Sequence, residues 1–178
     1  MIDHTDDGLR AAIRALDEVV APAIDGSNPL AVEQVKLVSR FLGFLRSRIP
    51  YEHARAHHEV RHYLALAQEL IELAPNDAPA RSRQLLTAAI QTSTPLVGDP
   101  LSSAQQLQDA AKSLSAALST LVRDVTDSPV SVRAPVERAI VRASASLLDA
   151  QRAWFLPMGF EPDAERVPAL ETALGAAR

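Results

Sequence analysis

Histidine and glutamate residues are concentrated in one stretch of the chain, Pro50 to Ala74, which contains the histidines at positions 53, 57, 58 and 62. Glu59 and His62 have the spacing Glu-x-x-His, and Glu52 lies one heptad before Glu59. Residues three or four positions apart lie on the same side of a helix. Imidazole and carboxylate groups placed in this way bind transition metals. The spacing therefore predicts a mononuclear metal site formed by His58, His62 and Glu59.

Helical bundles that hold two metal ions also use the Glu-x-x-His spacing, but they need two copies of it and further glutamates on facing helices. This chain has one copy, and Glu18 and Glu33 fall on the polar faces of neighbouring predicted helices. A dinuclear carboxylate site is therefore not expected. The alternative for the histidines is that they are solvated or hydrogen-bonded side chains at the flank of a helix. Because imidazole as a group titrates near neutrality, the cluster also invites interpretation as a pH sensor.

The helix that carries these residues turns two carboxylates toward the interior. Its second half is amphipathic, and its apolar arc with the two residues at the arc's edge consists of Val60, Tyr63, Leu64, Leu66, Ala67, Leu70, Ile71, Leu73 and Ala74. One edge of this arc, projected back one heptad at a time, becomes Glu59 and then Glu52. A buried charge is unfavourable unless it is paired or bound to a ligand. We therefore predict a ligand-binding site of Glu52, Glu59 and Arg55, with Gln34 of the preceding helix opposite.

Arginine is also plentiful at this corner, at positions 46, 48, 55 and 61. Guanidinium groups bind phosphate and carboxylate well, so the cluster predicts a small anionic ligand. Two alternatives remain open: the arginines pair with Glu52 and Glu59, or they complement the dipole at the end of a helix. No catalytic residue is predicted, because the chain has no cysteine and no Gly-x-Ser-x-Gly motif, and its six glycines form no phosphate-binding loop. The residues leave open whether the polar site belongs to an enzyme.

The hydrophobic periodicity predicts an all-α fold, with residues 1–178 in a single domain of six to seven helices and antiparallel neighbours. The predicted helices lie at about 5–22, 29–48, 50–74, 79–91, 100–125, 135–155 and 162–176, and the second, third, fifth and sixth are expected at the centre. The first presents Leu9, Ile13, Leu16 and Val20 on one face. The second presents a wide apolar face of Leu30, Leu37, Val38, Phe41, Leu42, Phe44, Leu45 and Ile49, with Gln34 in its middle.

Composition narrows the class of protein. A net charge of −4 argues against a nucleic-acid surface, and the chain has no apolar run long enough to cross a membrane. The absence of cysteine and an acidic N-terminus without an apolar core region predict a cytoplasmic location.

Two functions follow as hypotheses. The first is a non-catalytic interaction or accessory protein that acts as a homo-oligomer. It is favoured by the uncharged Ser- and Gln-rich outer face of the fifth helix and by the apolar segment Leu156–Phe160. The alternative is a metal-binding or small-anion-binding protein whose polar pocket lies at the start of the third helix.

Overall fold

A computed structural model describes residues 4–73 and 80–175, and within them it contains helices and no strand, so the predicted all-α fold is confirmed. The helices are α1 (His4–Ala15), α2 (Pro29–Arg48), α3 (Glu52–Leu73), α4 (Ala80–Gly98), α5 (Ala104–Thr126), α6 (Val130–Phe155) and the short α7 (Leu170–Ala173). Helix α1 continues through a π-helical segment, Leu16–Val20, into a last turn at Ala21–Ala23. None of the described helices is both long and apolar enough to cross a membrane.

Two predicted helix boundaries are wrong, and proline is the reason in both cases. Pro95 was expected in a loop after the fourth helix, but it lies within α4. Pro135 was expected to begin the sixth helix, but it lies within α6. A proline inside a helix removes one backbone hydrogen bond. Pro95 lies close to the end of α4 and Pro135 in the second turn of α6, so each helix keeps most of its hydrogen bonds.

The C-terminal part of the chain also differs from the prediction of one helix at about 162–176. It contains a single 3-10 turn at Ala164–Arg166 and then α7. Leu170 and Leu174 are nevertheless buried. These two leucines are therefore buried without a long helix.

The described residues divide into two compact units, of which one comprises residues 4–51 and 154–166, and the other comprises residues 52–73, 80–153 and 167–175. The second unit contains the main hydrophobic core. Its fully buried large side chains come from four helices and are Val60, Leu70, Leu86, Leu107, Leu114, Leu121, Val125 and Val136. The heptad-spaced leucines of α5 are among them, as the sequence pattern predicts. Helix α2 contributes nothing to this cluster, so its predicted central place is wrong, whereas α4 belongs to the core.

Hydrogen bonds fix the directions of the helices in this unit. His57, in the second turn of α3, places its Nε2 atom 3.1 Å from the backbone oxygen of Val97, at the end of α4. These two helices are therefore antiparallel. Helix α5 begins with a capping box in which Ser103 accepts from the amide of Gln106 and the Gln106 side chain accepts from the amide of Ser103. The short turn between α4 and α5 reverses the chain again, so α5 runs in the same direction as α3.

The first unit is a helical hairpin with a very small core. Arg46, in the last turn of α2, donates from Nε to Oδ1 of Asp6, in the first turn of α1, at 2.6 Å, so the two helices are antiparallel. Among the described residues of this unit, the buried side chains are Phe44, Arg48 and Trp154. Most of the wide apolar face predicted for α2 is therefore not buried, because too little of the unit packs against it.

Candidate functional site

Three of the four residues predicted to bind a ligand line one groove between α3 and α5. Glu52, Arg55 and Glu59 project from α3 and face Gln108 and Lys112 of α5 across a volume of about 510 Å³. We call this the glutamate groove. The heptad projection therefore placed both carboxylates correctly. Gln34, the fourth predicted residue, is exposed on α2 in the first unit and is not among the residues that line this groove.

The charges in the glutamate groove balance one another. Arg55 donates from Nε to Oε1 of Glu59 at 3.1 Å, and both side chains are at least two-thirds buried, with relative exposures of 33% and 27%. Lys112 pairs with Asp109 at 3.4 Å on the exposed side of α5. Glu52 lies in the first turn of α3, where the positive end of the helix dipole stabilises a carboxylate. With its own carboxylates beside its cations, this groove does not favour a small anion.

A second groove contains the other predicted residues of the third helix. His58, Arg61 and His62 of α3, with Arg142 and Ser146 of α6, line a volume of about 660 Å³ that is closed at one side by residues 172–175. We call this the histidine groove. His62 Nδ1 lies 3.3 Å from Ser146 Oγ, and Arg142 forms an ion pair with Glu69.

Burial changes the chemistry of the two imidazoles. It lowers the pKa of His58, against the opposing effects of the Leu174 backbone and the Glu59 charge. It also lowers the pKa of His62, and the neighbouring charge of His58 adds to the shift. Both rings are therefore mainly neutral at pH 7. The Nε2 atom of His58 is buried and has no hydrogen-bond partner among the described residues.

The predicted metal site is not assembled. His58 and His62 lie in the histidine groove, whereas Glu59 lines the glutamate groove and pairs with Arg55. Within the described ranges, no group of three or more His, Asp or Glu residues is placed to hold a metal ion. Glu59 and His62 are one helical turn apart, as expected. The ion pair with Arg55, one turn earlier, keeps the Glu59 carboxylate in the glutamate groove and away from His62.

The other two histidines of α3 have structural contacts. His53 Nε2 lies 2.9 Å from the backbone oxygen of Ser102, and His57 contacts Val97 as described above. Both bonds join the start of α3 to the end of α4 or to the turn that follows it. These residues fit the alternative of hydrogen-bonded flank positions.

Three of the four arginines predicted to bind an anion have partners within the chain, and the anion site itself stays a prediction. Arg46 binds Asp6, which is 40 positions away, and Arg48 is buried and donates to the backbone oxygen of Trp154, which is 106 positions away. Arg55 pairs with Glu59, and Arg61 remains exposed at the histidine groove. Asp6 and Trp154 are too distant along the chain for local spacing to reveal them.

A large apolar surface lies on the first unit. Four exposed apolar side chains of α2 are Leu30, Leu37, Val38 and Phe41, with exposed fractions of 65%, 45%, 46% and 49%. We call this surface the α2 face. Aromatic stacking continues from its end, because the Phe41 and Phe44 ring centres are 6.1 Å apart and those of Phe44 and Phe155 are 5.8 Å apart. The periodicity of the sequence revealed the apolar residues, but it could not show that nothing in the unit covers them.

Of the two surfaces first expected to mediate association, the C-terminal apolar segment is half-buried at Leu156 and Met158. Trp154, just before it, is buried, whereas Phe160 at its end is 80% exposed. The outer face of α5 is polar and exposed at Ser113 and Ser119.

Comparison of the chain with protein-family models, with curated proteins and with solved structures finds no match.

Proposed function

We propose that this protein acts through association, as a non-catalytic homo-oligomer that buries the α2 face. The observation that supports the proposal is the exposure of Leu30, Leu37, Val38 and Phe41 on one side of a single helix. Apolar side chains exposed together on one side of a helix commonly mark an interaction site, whereas scattered single ones are ordinary. Burial of such side chains against a second protein surface is favourable because it removes apolar area from water.

The small core of the first unit supports a second copy of the chain as the partner. Its buried side chains within the described part of the chain are Phe44, Arg48 and Trp154, a small core that a shared interface would enlarge. Two hairpins that bring their α2 faces together would form a four-helix arrangement with a shared core. Because both copies present the same apolar side chains, the face is complementary to itself under two-fold symmetry.

The polar grooves offer weaker support for catalysis. In the glutamate groove Arg55 and Glu59 form an ion pair with each other. His53 and His57 form hydrogen bonds with backbone oxygens at the end of α4 and in the turn that follows it. These contacts stabilise the fold.

The test is the mass of the protein in solution, measured by sedimentation equilibrium over a range of concentrations. We expect an oligomer that dissociates on dilution. Leu37→Gln should shift the equilibrium strongly to monomer without loss of helical circular dichroism, because the side chain is already 45% exposed. Leu101→Gln is the matched control, since Leu101 is 88% exposed but lies outside α2. A wild-type protein that is monomeric at every concentration, or an oligomer that Leu37→Gln leaves unchanged, would contradict the proposal.

A second candidate function is the binding of a small oxyanion, such as phosphate or a carboxylate, in the histidine groove. It is favoured by the buried Nε2 atom of His58, which has no partner among the described residues, and by the exposed guanidinium of Arg61 at the same groove. The guanidinium of Arg61 donates hydrogen bonds to oxyanions, and the His58 imidazole donates from Nε2 when that nitrogen carries a proton.

Inorganic phosphate is the probe for this second function. It should raise the melting temperature of the wild-type protein, and Arg61→Gln should remove the effect. Arg81→Gln is the control, because Arg81 is exposed on α4 and does not line the groove. An equal response of all three proteins would exclude the groove as the site.

A further inference from the structure

Two opposite charges border the α2 face along one edge. Successive helical residues are rotated by about 100°, so Leu30, Leu37 and Phe41 lie within an arc of about 40°. Glu33 and Arg40 lie seven residues apart on one flank of that arc, at nearly the same angle. Both are exposed, and neither forms an ion pair within the described part of the chain.

We propose that two copies pair their α2 helices in antiparallel orientation about a two-fold axis beside Leu37, and that Glu33 of each copy pairs with Arg40 of the other. This inference rests on the proposed association through the α2 face. Glu33 precedes Leu37 by four residues, and Arg40 follows it by three. In an antiparallel pair centred on Leu37 the two charges therefore differ in height by about 1.5 Å, which the long side chains can span.

The antiparallel orientation of the two α2 helices follows from which flanks of the helices lie against each other. In an antiparallel helix pair each flank lies against the same flank of the other helix, so Glu33 and Arg40 meet their opposites twice. In a parallel pair this flank would lie against the other side of α2, which carries the half-buried Ala31, Val35 and Leu42. Four charged side chains would then have no opposite charge across the interface. The charges thus select the antiparallel arrangement, while the apolar side chains supply the affinity.

Charge reversal tests the pairing directly. Glu33→Arg and Arg40→Glu each replace two attractive contacts with two repulsive ones, and each should raise the dimer dissociation constant about tenfold. The double variant restores opposite charges and should return the constant to within about threefold of the wild-type value. An equimolar mixture of the two single variants should form mixed dimers, because every cross-pair in them is attractive. Lys36→Glu is the control for net charge, since Lys36 lies farther from the α2 face.

Single-cysteine cross-linking tests the position of the axis, and the chain has no native cysteine to interfere. Leu37→Cys should form a disulfide-linked dimer under mild oxidation, because the two copies of this position adjoin the axis. Leu30→Cys should not, because its two copies would be about 20 Å apart along the helices. Equal cross-linking at both positions indicates a parallel pair and overturns the inference.

The outcomes separate the inference from the function on which it rests. A dimer that depends on Leu37 but shows no rescue in the double charge variant overturns the antiparallel pairing and leaves association in place. A protein that is monomeric at all concentrations overturns both.

Discussion

Arg48 joins two parts of the first unit that are 106 positions apart in the chain, because its Nε atom donates a hydrogen bond of 2.7 Å to the backbone oxygen of Trp154. Its guanidinium also lies 5.7 Å from the centre of the Trp154 ring and 5.8 Å from the centre of the Phe44 ring. A planar cation can make both kinds of contact at once. The buried side chains of this unit therefore centre on one charged residue.

Replacement of Arg48 should destabilise the first unit. Arg48→Met keeps much of the apolar stem but loses the charged hydrogen bond and the contacts with the two rings, and it should cost about 2 to 4 kcal/mol. Trp154 is the single tryptophan of the chain, so urea unfolding followed by its fluorescence reports on this unit. Lys36→Met is the exposed control on the same helix. A change of less than about 0.5 kcal/mol for Arg48→Met would contradict this role for the residue.

Gly43 offers a stabilising substitution. It lies in α2, and a Cβ atom added there meets nothing within 4 Å. Gly43→Ala should therefore raise the free energy of unfolding by about 0.5 to 1 kcal/mol, because alanine loses less backbone entropy on folding. Gly159→Ala is the informative contrast, since Gly159 has a φ of +77° and the substitution should destabilise. Thermal unfolding of both variants measures the difference, and a lower melting temperature for Gly43→Ala would refute the prediction.

The histidine groove should make stability depend on pH. Burial lowers the pKa values of His58 and His62 below 6.5, so below that pH the unfolded chain binds more protons than the folded one. The contribution of the two neutral imidazoles to the free energy of unfolding is fully present above pH 6.5. It is lost as the pH falls through the folded-state pKa values. The free energy of unfolding should therefore decrease from pH 7.5 to pH 5.5, a range above the titration of ordinary carboxylates.

Variants separate this effect from other titrations. His62→Gln should flatten the pH dependence, whereas His4→Gln, at an exposed position of α1, should leave it as in the wild type. Charged groups close to the imidazoles are Glu59, Arg61 and the Glu69–Arg142 pair. If the free energy of unfolding of His62→Gln depended on pH as strongly as that of the wild type, the His62 imidazole would not contribute to the pH dependence.

Glu59→Gln tests whether the glutamate groove is structural. The substitution removes one charge of the pair with Arg55 but keeps the shape of the side chain, and it should cost at most about 1 kcal/mol because the pair is partly solvated. Glu72→Gln is the exposed control on α3. Chemical denaturation measures both. A stability loss of several kcal/mol would mean that the unpaired guanidinium of Arg55 cannot reach water.

The sequence predicts those parts of the site that depend on helical periodicity alone. Glu52 and Glu59 face a neighbouring helix as the heptad projection requires, and Arg55 lies one turn before Glu59 to pair with it. The split between the two grooves depends on which neighbour holds each side chain. Ser146 and Leu174, which contact the imidazoles, lie much later in the chain. No local spacing contains that information.

The same limit explains the errors on the first unit. The apolar periodicity of α2 is correct, since Leu30, Leu37 and Phe41 share one side of the helix. Periodicity states which side is apolar, however, and not what lies against it. Gln34, in the middle of that side, is exposed for the same reason as its neighbours.

The π-helical segment Leu16–Val20 accommodates one extra residue in the first helix. The half-buried apolar positions up to the first residue of this segment are Leu9, Ile13 and Leu16, and the next are Ala21 and Ile24, so the interval from Leu16 to the next inward residue is five. Val20, which a regular helix would turn inward, is therefore 41% exposed. A π turn contains one residue more than the α turn it replaces. Deletion of Glu18 would restore an interval of four residues between the inward positions before and after the π turn. The inward side chains on both sides of the turn would then stay on one face of a regular α-helix. We therefore expect the helix to lose a residue here without a change in packing.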